Sequence, residues 1–104
     1  FERVDVLVGP VMPLPPQALG LDAPPGTEGE WDWCPFTYPW NMTGQPALSV
    51  PCGFGEDGLP IGCQLVAWIG REDLLLRAAA AIEARLQGHL RTPPLSTSTG
   101  PRSI

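Results

Sequence analysis

The chain has 104 residues, a length that suits one domain or part of one, and no apolar stretch approaches the roughly 20 residues that a membrane-spanning helix needs. Its six basic side chains are all arginines, and eleven acidic side chains bring the net charge to −5. Because the sequence has neither a basic cluster nor a signal-peptide pattern, we expect a soluble, cytoplasmic protein that binds neither nucleic acid nor membrane.

The first predicted element is a strand over Val4–Gly9, an apolar run typical of strands that are covered on both faces. Since this run starts almost at the first residue, we expect the chain to begin inside a fold. Pro10 lacks a ladder donor and is predicted to end the strand. The proline-rich stretch from Pro10 to Pro25 is incompatible with regular helix or central strand. We predict a loop across a larger body or an exposed polyproline-II segment.

An aromatic segment follows. Residues 31–41 hold five of the chain's eight aromatic side chains. Leaving large apolar side chains in water costs about 1.5–3 kcal/mol each, so we expect another part of the fold to cover these rings. Trp31, Cys34 and Tyr38 have the spacing of one helical face, although Pro39 is expected to distort a helix there.

A hairpin is predicted next, with strands at Ala47–Pro51 and Gly62–Ile69. An Asp-Gly pair and further glycines between them favour an antiparallel return. Ser49 lies in the middle of the first strand, without the sharp turn that presents a catalytic serine. We therefore interpret Ser49 as a small residue in a packed sheet.

The three cysteines are Cys34, Cys52 and Cys63, and they contain no Cys-x-x-Cys pair. His89 is the only histidine and lies far from them, so we predict no metal site and no other cofactor. We interpret the cysteines as three buried free thiols, with a Cys52–Cys63 disulfide across the hairpin as the alternative. The neighbours of Cys34 are apolar and acidic, which argues against a nucleophilic role.

The last predicted element is a helix over Glu72–Gln87, with acidic residues in its first turn and Gly88 placed to end it. His89 would lie near its negative end. Apolar residues with a helical period form a stripe along the helix: Leu75, Ala78 or Ala79, Ile82 and Leu86. We predict that residues 1–95 belong to one domain and that residues 96–104 form a flexible tail.

Two runs carry a family resemblance. Residues 41–54 read NMTGQPALSVPCGF, and residues 57–65 read DGLPIGCQL. In this order they resemble the C-terminal region of amidase-signature enzymes, with its Gly-x-Pro-Ala step, Val-Pro-x-Gly strand end and Gly-Leu-Pro-x-Gly-x-Gln-Leu return. The likeness spans about residues 4–95 and implies the C-terminal part of a mixed-sheet α/β/α fold: strand, proline-rich crossing, hairpin and C-terminal helix. Gly62 has no side chain and would suit close packing.

The resemblance also implies amide hydrolysis by a Ser–cis-Ser–Lys triad. In that family the lysine acts as base through the bridging serine, the nucleophilic serine forms an acyl-enzyme, and backbone N–H groups stabilise the oxyanion. A chain without lysine cannot hold this triad, so we expect no catalytic residue here and no activity from the chain alone. The implied partners are the remainder of the amidase domain and a small-molecule amide substrate, and homodimer formation is left open.

In family members, the segment just before the Asn that begins the first motif run, Asn41 in this chain, borders the substrate. The positions of this chain that match that segment are Trp31, Cys34 and Tyr38. Ordinary interdomain core is the alternative role for Trp31 and Tyr38. The tRNA-dependent amidotransferase A subunit has an Asp where this chain has Cys34, which favours a general amidase with a more apolar, aromatic substrate. The alternatives are that A subunit, for glutamyl-tRNA(Gln), and a non-catalytic structural or proline-rich module that presents Pro13–Pro16 to a binding partner.

Overall fold

The computed structural model describes residues 1–87 and 90–91. Two short helices and one long helix accompany a three-stranded antiparallel sheet with the strand order β1-β3-β2. The elements are β1 (Val6–Pro10), α1 (Glu30–Trp33), α2 (Tyr38–Thr43), β2 (Ala47–Phe54), β3 (Pro60–Ala67) and α3 (Glu72–Leu86). This architecture confirms the predicted α/β class, and the stretch between β1 and α1 is irregular as predicted.

The predicted hairpin is formed by β2 and β3. Gly58 has the positive φ of 78° that the return requires, and the side chain of Asp57 accepts a hydrogen bond of 3.0 Å from the N–H of Leu59. The N–H of Ala67 donates to the carbonyl of Pro46. The alternation of an antiparallel ladder then directs the nitrogen of Pro51 to the open edge of β2, so this proline removes no bond to β3.

The first strand, β1, pairs with β3 only and forms an edge of the sheet. We had predicted a strand covered on both faces, and this prediction is wrong for the described residues. Leu7 and Val8 are exposed, with 68% of Val8 accessible to solvent. The physical reason is that α3 packs mainly against β2 and β3, so Val6 reaches the core cluster whereas Leu7 and Val8 do not.

The core lies between the sheet and α3. Leu75 and Ala79 of the helix pack on one face of the sheet, as the helical stripe predicted, with Ala78 and Ile82 partly buried beside them. Leu86, the last residue of the predicted apolar stripe, does not join this core, because 51% of it is exposed. The buried members of this cluster are Val50, Leu65, Ala67, Leu75 and Ala79.

The end of α3 also differs from the prediction. The helix ends at Leu86, one residue before the predicted end, and Gln87 ends it in a left-handed conformation with a φ of 53°. The N–H of Gln87 donates to the carbonyl of Glu83 over 2.8 Å and so satisfies a helix-end acceptor. Gly88, His89 and the predicted tail at 96–104 lie outside the described residues.

None of the helices in the described ranges is both long and apolar enough to cross a membrane.

Candidate functional site

The aromatic segment folds as two short helices rather than one. A turn over residues 34–37 separates α1 from α2, and Pro39 lies in the first turn of α2. A proline is tolerated there because the first N–H groups of a helix have no intrahelical acceptor. Pro39 therefore starts a helix, where we had expected it to distort one.

Trp31 and Tyr38, two of the three predicted substrate-binding residues, are in direct contact. Their ring centroids are 4.5 Å apart and their planes meet at 75°, an edge-to-face pair. Such pairs contribute about 0.5–1.5 kcal/mol beyond their buried area. Tyr38 is half-buried, whereas 62% of Trp31 remains accessible. The pair therefore holds a large apolar ring in a defined orientation with most of its surface open to a ligand or to another part of a larger protein.

Cys34, the third predicted residue, follows directly after α1 and is half-buried. The structure thus brings all three predicted side chains into one segment, on the two helices and the turn between them. This segment supplies aromatic, phenol and thiol groups at neighbouring positions of the chain.

A buried glutamine fastens this segment to the sheet. Gln64 belongs to the central strand β3 and only 7% of it is exposed. Its side-chain Nε2 donates a hydrogen bond of 2.9 Å to the main-chain carbonyl of Phe36, in the turn between α1 and α2. Gln64 belongs to the second motif run, residues 57–65, but we predicted no role for it. The signal that could have identified it is a single amide side chain within an otherwise apolar strand, since buried polar groups require a partner.

The exit from α2 is shaped by Gly44. This residue has a φ of 76°, and its N–H donates to the carbonyl of Trp40 over 2.9 Å. The Thr43 hydroxyl donates to the carbonyl of Pro39 over 3.0 Å and also contacts the side-chain oxygen of Gln45. These bonds close the helix and direct the chain into β2.

A groove of about 1030 Å³ lies between the proline-rich stretch and the hairpin. Gly62 allows Val11 of the proline-rich stretch to approach the hairpin closely. A Cβ at position 62 would lie 2.9 Å from the Val11 side chain and 3.0 Å from the Ser49 hydroxyl oxygen, so a larger residue would collide with both. Trp33 and Ser49 line the groove, and Ser49, which we interpreted as a small residue of a packed sheet, belongs to β2 but is exposed. Its lining includes Val11–Gln17, Gly55–Asp57 and Leu59–Gly62.

The groove was not predicted from the sequence. Trp33 belongs to the aromatic segment and also lines the groove, so the two features adjoin. Trp31, Cys34 and Tyr38 are not among the residues that line the groove. Within the described ranges, no group of three or more His, Cys, Asp or Glu side chains is arranged to hold a metal ion. The groove and the adjoining aromatic segment together form a mainly apolar and aromatic surface.

Cys52 and Cys63 are thiols on neighbouring strands, and no disulfide joins them. Both are half-buried rather than buried as predicted. Burial, and then the proximity of Cys52, raise the pKa of the Cys63 thiol above its ordinary value.

Comparison with known proteins gives a family match. A model of the amidase family matches residues 1–76. Among curated proteins, the chain is similar to the A subunit of the glutamyl-tRNA(Gln) amidotransferase of Synechococcus sp. (strain JA-2-3B'a(2-13)), with 46% identity over 95 residues, covering 91% of this chain and 18% of that protein. It is also similar to 6-aminohexanoate-cyclic-dimer hydrolase of Paenarthrobacter ureafaciens, with 55% identity over 60 residues, covering 58% of this chain and 12% of that protein.

A solved structure resembles the fold as well. It is the structure of 6-aminohexanoate cyclic dimer hydrolase, which matches with a TM-score of 0.70 and 39% identity over 86% of this chain. The match covers 21% of that protein. The chain thus spans about a fifth or less of the length of the relatives that it matches.

Proposed function

The chain belongs to the amidase family, and we propose that it forms one wall of the substrate pocket in an enzyme that hydrolyses the carbon–nitrogen bonds of amides. The observation that carries this proposal is the Trp31–Tyr38 pair, which presents an open indole face at the positions that border the substrate in the amidase-signature resemblance. An apolar ring in a fixed orientation suits an aliphatic or aromatic acyl group, because contact removes apolar surface from water on both sides.

We further propose that the catalytic residues come from the remainder of the amidase domain. The 104 residues contain no lysine, and the family's Ser–Ser–Lys triad requires one. In the proposed reaction, the nucleophilic serine attacks the amide carbonyl while its proton passes through the bridging serine to the lysine. The amine leaves with a proton, and water then cleaves the acyl-enzyme to release the carboxylic acid. The part described here would orient the acyl group for that attack.

The proposed substrate is a small, weakly polar amide. The similarity to 6-aminohexanoate-cyclic-dimer hydrolases, at 55% identity over 60 residues, supports a cyclic or linear amide of an aliphatic amino acid as the first compound to test. We propose the cytoplasm as the compartment, in keeping with the reduced state of Cys52 and Cys63.

A second candidate function is that of a glutamyl-tRNA(Gln) amidotransferase A subunit. The observation in its favour is the similarity to such subunits over 91% of this chain. Cys34 argues against it, because the resemblance places there the aspartate that helps to hold glutamine. A half-buried thiol supplies neither the negative charge nor the acceptors that would bind the amino group of glutamine.

The deciding experiment is an amidase assay of the complete protein, meaning the natural polypeptide that contains these residues. The substrates are 6-aminohexanoate cyclic dimer, a set of aryl and alkyl amides, and glutamine. We expect turnover of the apolar amides and little release of ammonia from glutamine. Preferential hydrolysis of glutamine would establish the second candidate function. If the complete protein hydrolyses none of these amides, both candidate functions are overturned.

A further inference from the structure

Cys52 and Cys63 lie next to one another across the β2–β3 hairpin. Cys63 is paired with Val50, and the register between the strands shifts between Pro51 and Gly53, which makes Cys52 the extra residue of a β-bulge. Cys52 follows Val50 by two positions, so the two thiols occupy diagonal positions on the side of the sheet that packs against α3.

The atomic contacts bring the sulfur atoms together. The thiol of Cys52 donates to the carbonyl of Ile61 over 3.5 Å, which presses its Sγ against β3 two residues before Cys63. Cys52 also contributes to the raised pKa of the Cys63 thiol, as expected for side chains at neighbouring positions of a hairpin. Because Cys52 is the extra residue of the bulge and has no paired residue on β3, a local adjustment of β2 is enough to bring the two sulfur atoms to bonding distance.

We propose that Cys52 and Cys63 form a reversible dithiol–disulfide site that is oxidised by a peroxide. This inference is independent of the proposed amidase function. Cys52 is the first sulfur to react, because its hydrogen bond to Ile61 is exposed to solvent, whereas the contact of the Cys63 thiol with the Gln64 carbonyl is partly buried and Cys63 packs against the core cluster.

The chemistry requires one equivalent of hydrogen peroxide. The Cys52 thiolate donates an electron pair to one peroxide oxygen, the O–O bond breaks, and the other oxygen leaves as water after taking a proton, which yields a sulfenic acid. The Cys63 thiol then loses its proton as its sulfur attacks the sulfenic acid, the S–O bond breaks, and the oxygen takes a proton and leaves as a second water. Two thiols are oxidised and one peroxide is reduced.

The disulfide would connect β2 to β3 at the end of the hairpin that borders the groove. The loop between the two cysteines contains Gly55, Glu56, Asp57 and Leu59, which form one wall of that groove. Oxidation would therefore restrain this wall, and reduction by a cellular thiol would release it.

The test uses the complete protein, reduced and then treated with one to two equivalents of hydrogen peroxide before the remaining thiols are blocked with N-ethylmaleimide. Peptide mapping without reductant should find Cys52 linked to Cys63, and dithiothreitol should restore both labelled thiols. The Cys52→Ser and Cys63→Ser variants should lose the cross-link, whereas Cys34→Ser should retain it.

Two results would overturn the proposal. One is oxidation of Cys52 to the sulfinic acid while Cys63 remains fully labelled. The other is a cross-link that involves Cys34 and persists in the Cys52→Ser variant. Peptide mapping of the wild-type protein alone distinguishes sulfinic acid formation at Cys52 from disulfide formation. The test therefore does not depend on the folding of any variant.

Discussion

The side chain of Gln64 and the main chain of Phe36, 28 positions apart in the sequence, are joined by a hydrogen bond of 2.9 Å. Gln64 is buried in the central strand, and Phe36 lies in the turn between the helices that carry Trp31 and Tyr38. This bond therefore links the buried central strand of the sheet to the segment that carries Trp31 and Tyr38. A site that must orient a substrate benefits from such support, because side chains on short helices and turns are otherwise poorly fixed.

The first prediction concerns this bond. Gln64→Leu removes the donor and leaves the Phe36 carbonyl without its partner, so we expect the free energy of unfolding of the complete protein to fall by about 1–3 kcal/mol. The measurement is urea denaturation followed by fluorescence. The matched control is Gln17→Leu, whose side chain donates to the carbonyl of Leu21 over 2.6 Å at an exposed position. We expect the control to change stability by less than about 0.5 kcal/mol; equal losses would contradict the anchoring role of Gln64.

The second prediction concerns the close packing at Gly62. In Gly62→Ala the new Cβ would lie 2.9 Å from the Val11 side chain and 3.0 Å from the Ser49 oxygen, so we expect a loss of about 1–3 kcal/mol in the free energy of unfolding. Gly53→Ala is the matched control, since no atom lies within 4 Å of its added Cβ and its φ is not positive. Adding Val11→Ala to Gly62→Ala should recover part of the loss.

An equal effect of Gly62→Ala and Gly53→Ala would show that the close approach of Val11 does not constrain position 62. The same thermal or urea denaturation experiment distinguishes the outcomes. Failure of Val11→Ala to recover stability would assign the cost to Ser49 instead.

The third prediction concerns the start of α3. The hydrogen bond from the Arg71 guanidinium, 3.2 Å from the Asp73 carboxylate, holds the pKa of Asp73 below its ordinary value, and the charge of Arg77 makes a smaller contribution. A carboxyl group with a lowered pKa in the folded state stabilises the fold above its unfolded pKa. That contribution is lost as the pH falls through the folded pKa. Both side chains of the pair are exposed, so the effect on stability is small.

We therefore expect Arg71→Ala to raise the pKa of Asp73 toward its ordinary value, measured by NMR titration of the carboxyl carbon. Arg77→Ala serves as the control and should raise it less. A larger change in Arg77→Ala than in Arg71→Ala would show that long-range charge, rather than the hydrogen bond, sets the pKa of Asp73.

The elements that depend on local chemistry were predictable. The Asp57-Gly58 turn supplies its own hydrogen bond and positive φ, and the spacing of Leu75, Ala79 and Ile82 defines the buried face of α3. These signals act over a few residues, so a single sequence contains all of the information that they require.

The features that depend on distant partners were not predictable. An apolar run such as β1 looks buried on both faces, but its exposure is decided by where α3 packs. In the candidate site, the spacing of Trp31 and Tyr38 predicted that their side chains lie close together on one helix. The rings are in contact, but two short helices and the turn between them bring them together. The bond from Gln64 to Phe36 joins positions whose pairing only the folded chain reveals.

The last prediction tests the candidate site. If the exposed face of Trp31 contacts the acyl group, Trp31→Ala removes apolar contact worth about 1.5 kcal/mol, which corresponds to a roughly tenfold loss in kcat/KM for an apolar amide. Because this contact is made in the ground state as well as the transition state, the loss should appear as a higher KM with little change in kcat. Partial unfolding would instead lower kcat by reducing the amount of active enzyme.

Two further variants make this test of Trp31 specific. Trp31→Phe should retain part of the contact, so its KM should fall between those of the wild type and Trp31→Ala. Trp68→Ala is the matched control, because Trp68 is also about half-exposed and forms a ring contact, 5.7 Å from Phe1, outside the candidate site. A KM that rises equally in Trp31→Ala and Trp68→Ala, or in neither, would remove Trp31 from the substrate pocket.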